Sequence, residues 1–262
     1  MFWYEVGGLS AVAGVLPWTI NGHSGALDPA DVEATIRPNN IHFPDTTLVC
    51  IENTNNRAGG TIIMPEQIKA INDVTRAHNV KVYMDEARIF NASIALRCDV
   101  KEFSRHVDNL MFCLSKELSC PVGSLIVGEQ GFIDRARKVR KMLRGGMRRA
   151  GVIAAPGIIA LEKMIDCLAE DHANARLLAE GLTGVDGIEV HMNAVQTNIF
   201  LFSVENLSTT AERFIDGLNR KGLLVSSMEK YTIRLVTHGG VEKEDVRKAL
   251  SILHEVAQGF NR

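Results

Sequence analysis

The chain is 262 residues long and carries 29 basic against 31 acidic side chains, a formal net charge of −2, so it lacks the cationic excess that binding to nucleic-acid phosphates requires. Its 46% hydrophobic and 23% charged residues are the balance of a globular chain that folds in water, and no apolar run approaches the ~20 residues needed to cross a bilayer. The five cysteines, Cys50, Cys98, Cys113, Cys120 and Cys167, are odd in number and free of CxxC spacing, which reads as reduced thiols in a cytoplasmic setting rather than a disulfide frame or a zinc site.

The opening MFWYEVGGLSAVAGVLPW has no cationic region ahead of its apolar residues and no small-residue cleavage site, so it does not read as a signal peptide. It starts as though already inside a fold, with the expectation that something normally precedes it. From about residue 45 to 128, short β-rich runs alternate with helical patterns, the signal of βαβ units and a parallel sheet. Strands are expected over 46–53, 81–87, 109–115 and 124–129. A helix over 65–79 opens on Pro65 and keeps Ile68, Ile71 and Val74 on one face, and a second over 99–107 has Asp99 as its N-cap. A basic amphipathic helix (130–144) and a long connecting helix (about 154–182) come next. The pattern then becomes that of a small α+β unit: strands in IEVHMN and NIFLFSVE, a helix in TTAERFIDGLNRKG, strands in GLLVSS and TIRLVTH, and a terminal helix from about Lys243. The domain expectation is a large α/β domain over 1–183 and a small one over 184–262.

In open parallel sheets ligands gather at the carboxyl ends of the strands, so polar residues that close apolar runs are the candidates for chemistry. Asp85 closes KVYM, with Arg88 three residues on, and Lys116 comes after NLMFCLS, directly behind Ser115. A lysine closing a buried strand is costly as an ammonium unless it is paired or used covalently. Pyridoxal phosphate would use both groups: its aldehyde condenses with a lysine, and a carboxylate keeps its ring nitrogen protonated. A salt bridge, or two solvated loop residues, is the commoner account of any single such pair.

The strings MDEARIFNASIAL (84–96), FCLSKELSCPVGSLIVG (112–128) and RKMLRGGMRRAGVIAAPG (140–157) resemble the threonine aldolases, pyridoxal-phosphate enzymes of the aspartate-aminotransferase-like fold. EVGGLSAVAGV, the stretch GALDPADVEATIRPNNIHFPDTTLVCIENTNNRAGG, TNIFLF and IRLVTH extend the likeness over nearly the whole chain. The resemblance implies a mostly parallel sheet with flanking helices (fold type I), a small C-terminal α+β domain and pyridoxal phosphate as cofactor. It implies Lys116 as the Schiff-base lysine, Asp85 on the pyridine nitrogen with Ser115 at the cofactor, Arg88 near the cofactor's phenolic oxygen and the substrate, and Arg234 on the substrate carboxylate. His42, in NNIHF, would act near the β-hydroxyl; read alone, it is a surface or capping histidine. Lys141 and Arg148 would reach the cofactor phosphate of a neighbouring subunit, while the rest of the basic run from Arg135 to Arg149 reads as a solvated helix face.

The activity implied is cleavage of L-threonine or L-allo-threonine to glycine and acetaldehyde by a homo-oligomer, dimer or tetramer, with shared active sites and no nucleic-acid or membrane partner. The rival expectation is a non-catalytic relative acting through subunit association. The family pattern begins earlier, with a Gly-Thr turn for the cofactor phosphate and a histidine on the ring, both upstream of Met1, so weak cofactor binding is expected. Glu86, Glu117 and Arg144 stand where the pattern has glycines, and Asn55 where it has histidine.

Overall fold

The computed structural model describes residues 2–260. Two short helices, α1 (Gly8–Ala11) and α2 (Pro29–Thr35), come first. The Asp28 carboxylate starts α2 by accepting the Ala30 N–H at 2.8 Å, and Pro29 supplies a preset φ in the first turn.

Four strands then build the first sheet in the order β1 (Leu48–Glu52), β2 (Lys81–Glu86), β3 (Asn109–Cys113) and β4 (Ser124–Gly128). The pairs β1–β2 and β2–β3 are parallel and β4 returns antiparallel to β3, so the sheet is mostly parallel, as expected. Strands β1 to β3 alternate sharply: Val49, Ile51, Val82, Met84, Leu110 and Phe112 are buried, while Leu48, Cys50, Tyr83, Asp85, Met111 and Cys113 turn to the opposite, partly open face. The buried face packs on α3 (Pro65–Ala77) through Ile68 and Ile71, on α4 (Ile89–Leu96) through Ile89 and Ala92, and on α5 (Lys101–Ser104) through Phe103.

The helix expected over 99–107 is only the single turn α5. Its N-cap position falls on Val100, with Asp99 one residue earlier accepting the Lys101 N–H on Oδ1 at 2.8 Å. The sheet claims the residues beyond that turn, because the Asp108 N–H bonds the Val82 carbonyl at 2.9 Å and the Asp108 carboxylate accepts the Val82 N–H at 2.8 Å. The sequence reading missed α4: IFNASIAL is too uniformly apolar to show a helical stripe, and the helix ends in a left-handed Arg97 at φ 53°.

After β4 come α6 (Gln130–Met142), α7 (Gly151–Ile159) and α8 (Leu168–Leu182). The long helix expected over 154–182 is therefore interrupted. Pro156 withholds one N–H from the ladder, and a wide turn over Ala160–Met164 separates α7 from α8.

The second sheet is wholly antiparallel, in the order β5 (Glu189–Val190), β6 (Ile199–Ser203), β8 (Thr232–Val236), β7 (Ser226–Ser227), covered by α9 (Ala211–Arg220) and α10 (Lys243–Phe260). Phe200, Phe202 and Phe214 centre its core, with Phe202 edge-on to Phe214 at 6.2 Å. Helix α8 serves both cores, giving Leu168 to the first and Ala175, Leu178, Ala179 and Leu182 to the second.

The lobes are also tied through the loop after β1. Gly59 and Gly60 adopt φ 84° and 78°, which lets the Gly60 carbonyl accept the Thr197 hydroxyl at 2.8 Å, while the Ile62 N–H donates to Gln196 Oε1 at 2.8 Å. The carboxyl ends of β1–β3 thus face the end of β8.

Candidate active site

Asp85 lies at the carboxyl end of β2, in register with Glu52 on β1 and Met111 on β3, on the open face shared with Tyr83 and Cys50. Burial raises its carboxyl above the usual range, and Lys116 pulls in the other direction. The two residues are thus electrostatic neighbours. Burial, and after it Asp85, also raises the Tyr83 hydroxyl and pushes the Cys50 thiol up to about 11.

Lys116 sits in a tight turn after β3. The Leu114 N–H bonds the Gly123 carbonyl at 2.9 Å, the Cys120 N–H bonds the Leu114 carbonyl at 3.0 Å, and the Ser119 N–H bonds the Lys116 carbonyl at 2.9 Å. Leu114, Leu118 and Cys120 are held in the core, which lifts Ser115 and Lys116 to the surface and turns Glu117 inward. Lys116 is therefore exposed, which corrects the expectation of a desolvated strand-end lysine: the strand stops at Cys113, three residues before it.

A cavity of about 250 Å³ opens here, lined by Arg88, Lys116, Glu117, Ser119, Val236 and His238. Arg88 and Glu117 form an ion pair through Nε and Oε1, with side chains only 11% and 4% exposed. The fully buried Asn198 donates its amide to the same Oε1 at 2.9 Å and to the Thr237 carbonyl at 2.8 Å. Arg234, on β8 opposite Leu201, donates to Asn56 Oδ1 at 2.8 Å, and the Asn56 N–H is held by Glu52 Oε1 at 3.0 Å. Burial, then the charge of Arg88, lowers the Arg234 pKa, and its Nε is buried without a hydrogen-bond partner among the described residues. Arg88 and Lys116 therefore meet at one cavity from the segments after β2 and β3, with Arg234 on β8 electrostatically near Arg88 and Asp85 electrostatically near Lys116.

Behind the ion pair, burial pushes the Asp171 carboxyl up to about 6, with Glu117 adding to the shift, while burial lowers His172 to about 4. His172 Nε2 meets Asn91 Oδ1 at 2.8 Å.

The remaining candidates lie elsewhere. His42 is exposed on a turn, its N–H held by Asn40 Oδ1 at 2.9 Å, and it does not line the cavity. Lys141, in the last turn of α6, and Arg148, in the turn before α7, are also exposed and outside it. Sequence reasoning missed Ser119, Val236 and His238 as lining residues, although TIRLVTH places His238 just past a strand end, where the rule that found Asp85 also applies.

The residues that replace glycines take three different courses. Glu117 joins the site. Glu86 points into the core, fully buried, with neither carboxylate oxygen hydrogen-bonded among the described residues. Arg144 adopts the left-handed φ of 65° that glycine would tolerate without strain. Asn55 Oδ1 accepts the Ala58 N–H at 2.9 Å and shapes the Gly59–Gly60 turn. A larger surface depression of about 530 Å³ lies between α8 and α10, but its histidine, His254, is bonded to the Gly181 carbonyl at 2.8 Å.

A mostly parallel sheet with flanking helices and a cavity lined by Arg88, Lys116 and His238 beyond its strand ends is the frame of an α/β enzyme. The chain belongs to the beta-eliminating lyase family, whose sequence profile matches residues 1–205. It is 40% identical over 256 residues to low-specificity L-threonine aldolase 1 of Arabidopsis thaliana, a match spanning 96% of this chain and 72% of that one. In fold it is similar to the Leishmania major threonine aldolase, at a TM-score of 0.76 and 20% identity, covering 97% of this chain and 76% of that one. It is likewise similar to the Oryza sativa TDC structure with PLP, at 0.68 and 18%, covering 90% and 53%.

Proposed function

We propose that this chain is a pyridoxal-phosphate-dependent aldehyde-lyase that cleaves L-threonine and L-allo-threonine to glycine and acetaldehyde. The carrying observation is the convergence of Lys116 and Arg88 on one cavity, with the charge of Lys116 acting on Asp85 at the end of β2. The likeness to the Arabidopsis aldolase supports the substrate class.

The residues fit the cofactor. Lys116 offers an exposed primary amine with no ion pair among the described residues, as condensation with an aldehyde requires. Asp85 offers a half-buried carboxylate that a ring N–H would satisfy, and the unpartnered Arg234 Nε offers a donor for a carboxylate. When bound, pyridoxal phosphate supplies the electron sink for the Cα–Cβ bond that breaks. In this reading Lys116 holds the cofactor, Asp85 keeps its ring nitrogen protonated and Arg234 orients the amino acid through its carboxylate. A base at the β-hydroxyl removes the proton whose departure releases acetaldehyde. The resemblance gives that role to His42, while the histidine lining the cavity is His238.

The proposal extends to a cytoplasmic homo-oligomer whose exposed Lys141 and Arg148 serve a neighbouring copy, and to a domain division at residue 183. No helix among the described residues is long and apolar enough to cross a membrane. The test is spectroscopic. Pyridoxal phosphate added to the purified chain should give a Schiff-base absorbance band that borohydride fixes to the Lys116 peptide, with glycine and acetaldehyde formed from L-threonine. Absence of the band at saturating cofactor rejects the enzyme and favours a relative that acts by association alone.

A further inference from the structure

The alternation of β8 continues past its last residue. Ile233, Leu235 and Thr237 are buried while Val236 and His238 turn to the other side, because the ladder extends to the Thr237 N–H, which donates to the Asn198 carbonyl at 2.9 Å. Val236 and His238 thereby line the cavity from the second lobe, together with Lys116 and Ser119 from the first. The two turns adjoin: a Cβ added at Gly239 would stand 3.8 Å from Ser119 Oγ, and the Ser119 N–H bonds the Lys116 carbonyl at 2.9 Å.

The turn that carries His238 is firmly built. The Thr237 hydroxyl donates to the Asp171 carbonyl at 2.6 Å, and the His238 carbonyl accepts the Val241 N–H at 2.8 Å. The ring itself accepts the Gly240 N–H on Nδ1 at 3.1 Å. A neutral imidazole that accepts at Nδ1 carries its proton on Nε2, so the nitrogen left free by the turn is a donor. A histidine that serves as a base has the opposite arrangement, with a carbonyl or carboxylate receiving the Nδ1 proton and the Nε2 lone pair exposed.

We propose that His238 is a further catalytic residue of this cavity, a fixed hydrogen-bond donor to the β-oxygen of the substrate and not the base that deprotonates it. The inference rests on the aldolase reading, which supplies that oxygen. As the Cα–Cβ bond breaks, the oxygen passes from alkoxide to carbonyl, and in the reverse condensation the carbonyl oxygen gains negative charge. An Nε2–H presented by a rigid turn stabilises that charge in both directions while keeping its own proton.

Two measurements test it. The first needs no cofactor: a long-range nitrogen-15–proton spectrum of the cofactor-free full chain at about pH 8.5, with the His238 ring assigned by its loss in His238→Gln, should place the proton on Nε2. A proton on Nδ1 overturns the inference. The second uses the chain loaded with pyridoxal phosphate and compares cleavage of L-threonine with exchange of the glycine α-proton in deuterium oxide, a reaction without a β-oxygen. His238→Ala should lower the ratio of cleavage to exchange by about a hundredfold. His238→Gln keeps an N–H donor but offers no base, and should recover about tenfold of that loss. An unchanged ratio in His238→Ala would mark a residue that acts on neither oxygen nor proton, and a glutamine variant no better than the alanine one would mark a base; either result overturns the inference. Absence of the Schiff-base band from the wild type would instead reject the aldolase reading, and this inference with it, whereas a band with an unchanged ratio rejects this inference alone.

Discussion

Replacing Glu86 with glutamine should change how stability depends on pH more than it changes stability at any one pH. Glu86 is fully buried on the core face of β2 between the charges of Asp85 and Glu52, with neither oxygen hydrogen-bonded among the described residues. Burial first, then those two carboxylates, raises it well above its ordinary 4.5. The native protein therefore keeps this proton, while the unfolded chain releases it above that value. With fewer protons bound in the unfolded state, native stability falls as pH rises, by about 1.4 kcal/mol per pH unit for one group. The fall starts near the unfolded value and ends once the native carboxyl ionises. Glutamine does not titrate, so the stability difference between Glu86→Gln and the wild type should widen between pH 5.5 and 6.5, by up to about 1.4 kcal/mol, with contributions common to both proteins cancelling. Urea unfolding monitored by far-ultraviolet circular dichroism at the two pH values measures this directly. A difference that stays constant would show that Glu86 is ionised and satisfied in the native protein. Glu86→Met should in addition stabilise the chain at pH 6.5 by about 1–3 kcal/mol, because it removes a polar group buried without partners.

Asn198→Ala deletes the amide that bonds both Glu117 Oε1 at 2.9 Å and the Thr237 carbonyl at 2.8 Å, and should cost about 1–3 kcal/mol of unfolding free energy in the same assay. A loss under a few tenths of a kcal/mol would mean that Asn198 does not join the lobes. Arg144→Gly should stabilise by about 1 kcal/mol by relieving the left-handed φ of 65°, read as a rise in the thermal midpoint; a fall would place the arginine side chain in a contact worth more than that strain.

Local chemistry left clear marks in the sequence. Short β-rich apolar runs announced β1 to β4, Pro65 announced the start of α3, and the strand-end rule singled out Asp85, which lies at the carboxyl end of β2, whereas Lys116 lies three residues beyond β3. Where the period was obscured the reading failed: α4 is apolar on nearly every side, and the break between α7 and α8 arises from a wide turn that propensity does not encode. The family resemblance, not any local pattern, placed Arg88 near the cofactor's phenolic oxygen and the substrate and assigned Arg234 to the substrate carboxylate, a ligand that a planar guanidinium suits.

The directions of side chains at single turns belonged to the tertiary structure. Lys116, Glu117 and Leu118 are consecutive, yet the first is exposed and the next two are buried, since the core seats Leu114, Leu118 and Cys120 and the turn between them has to comply. Glu86 faces the core by the twofold alternation of β2, but whether a partner would meet it there depends on what α3 and α4 bring to that face. The Arg88–Glu117–Asn198 contact joins residues 29 and 81 positions apart, from different lobes, and no local pattern of apolar and polar residues records such a distance. The sequence by itself determined which elements form and which residue types could do chemistry, because these depend on neighbours along the chain. That Arg88 meets Glu117 and Arg234 meets Asn56 was decided only when packing brought these segments together, because pairing depends on neighbours in space.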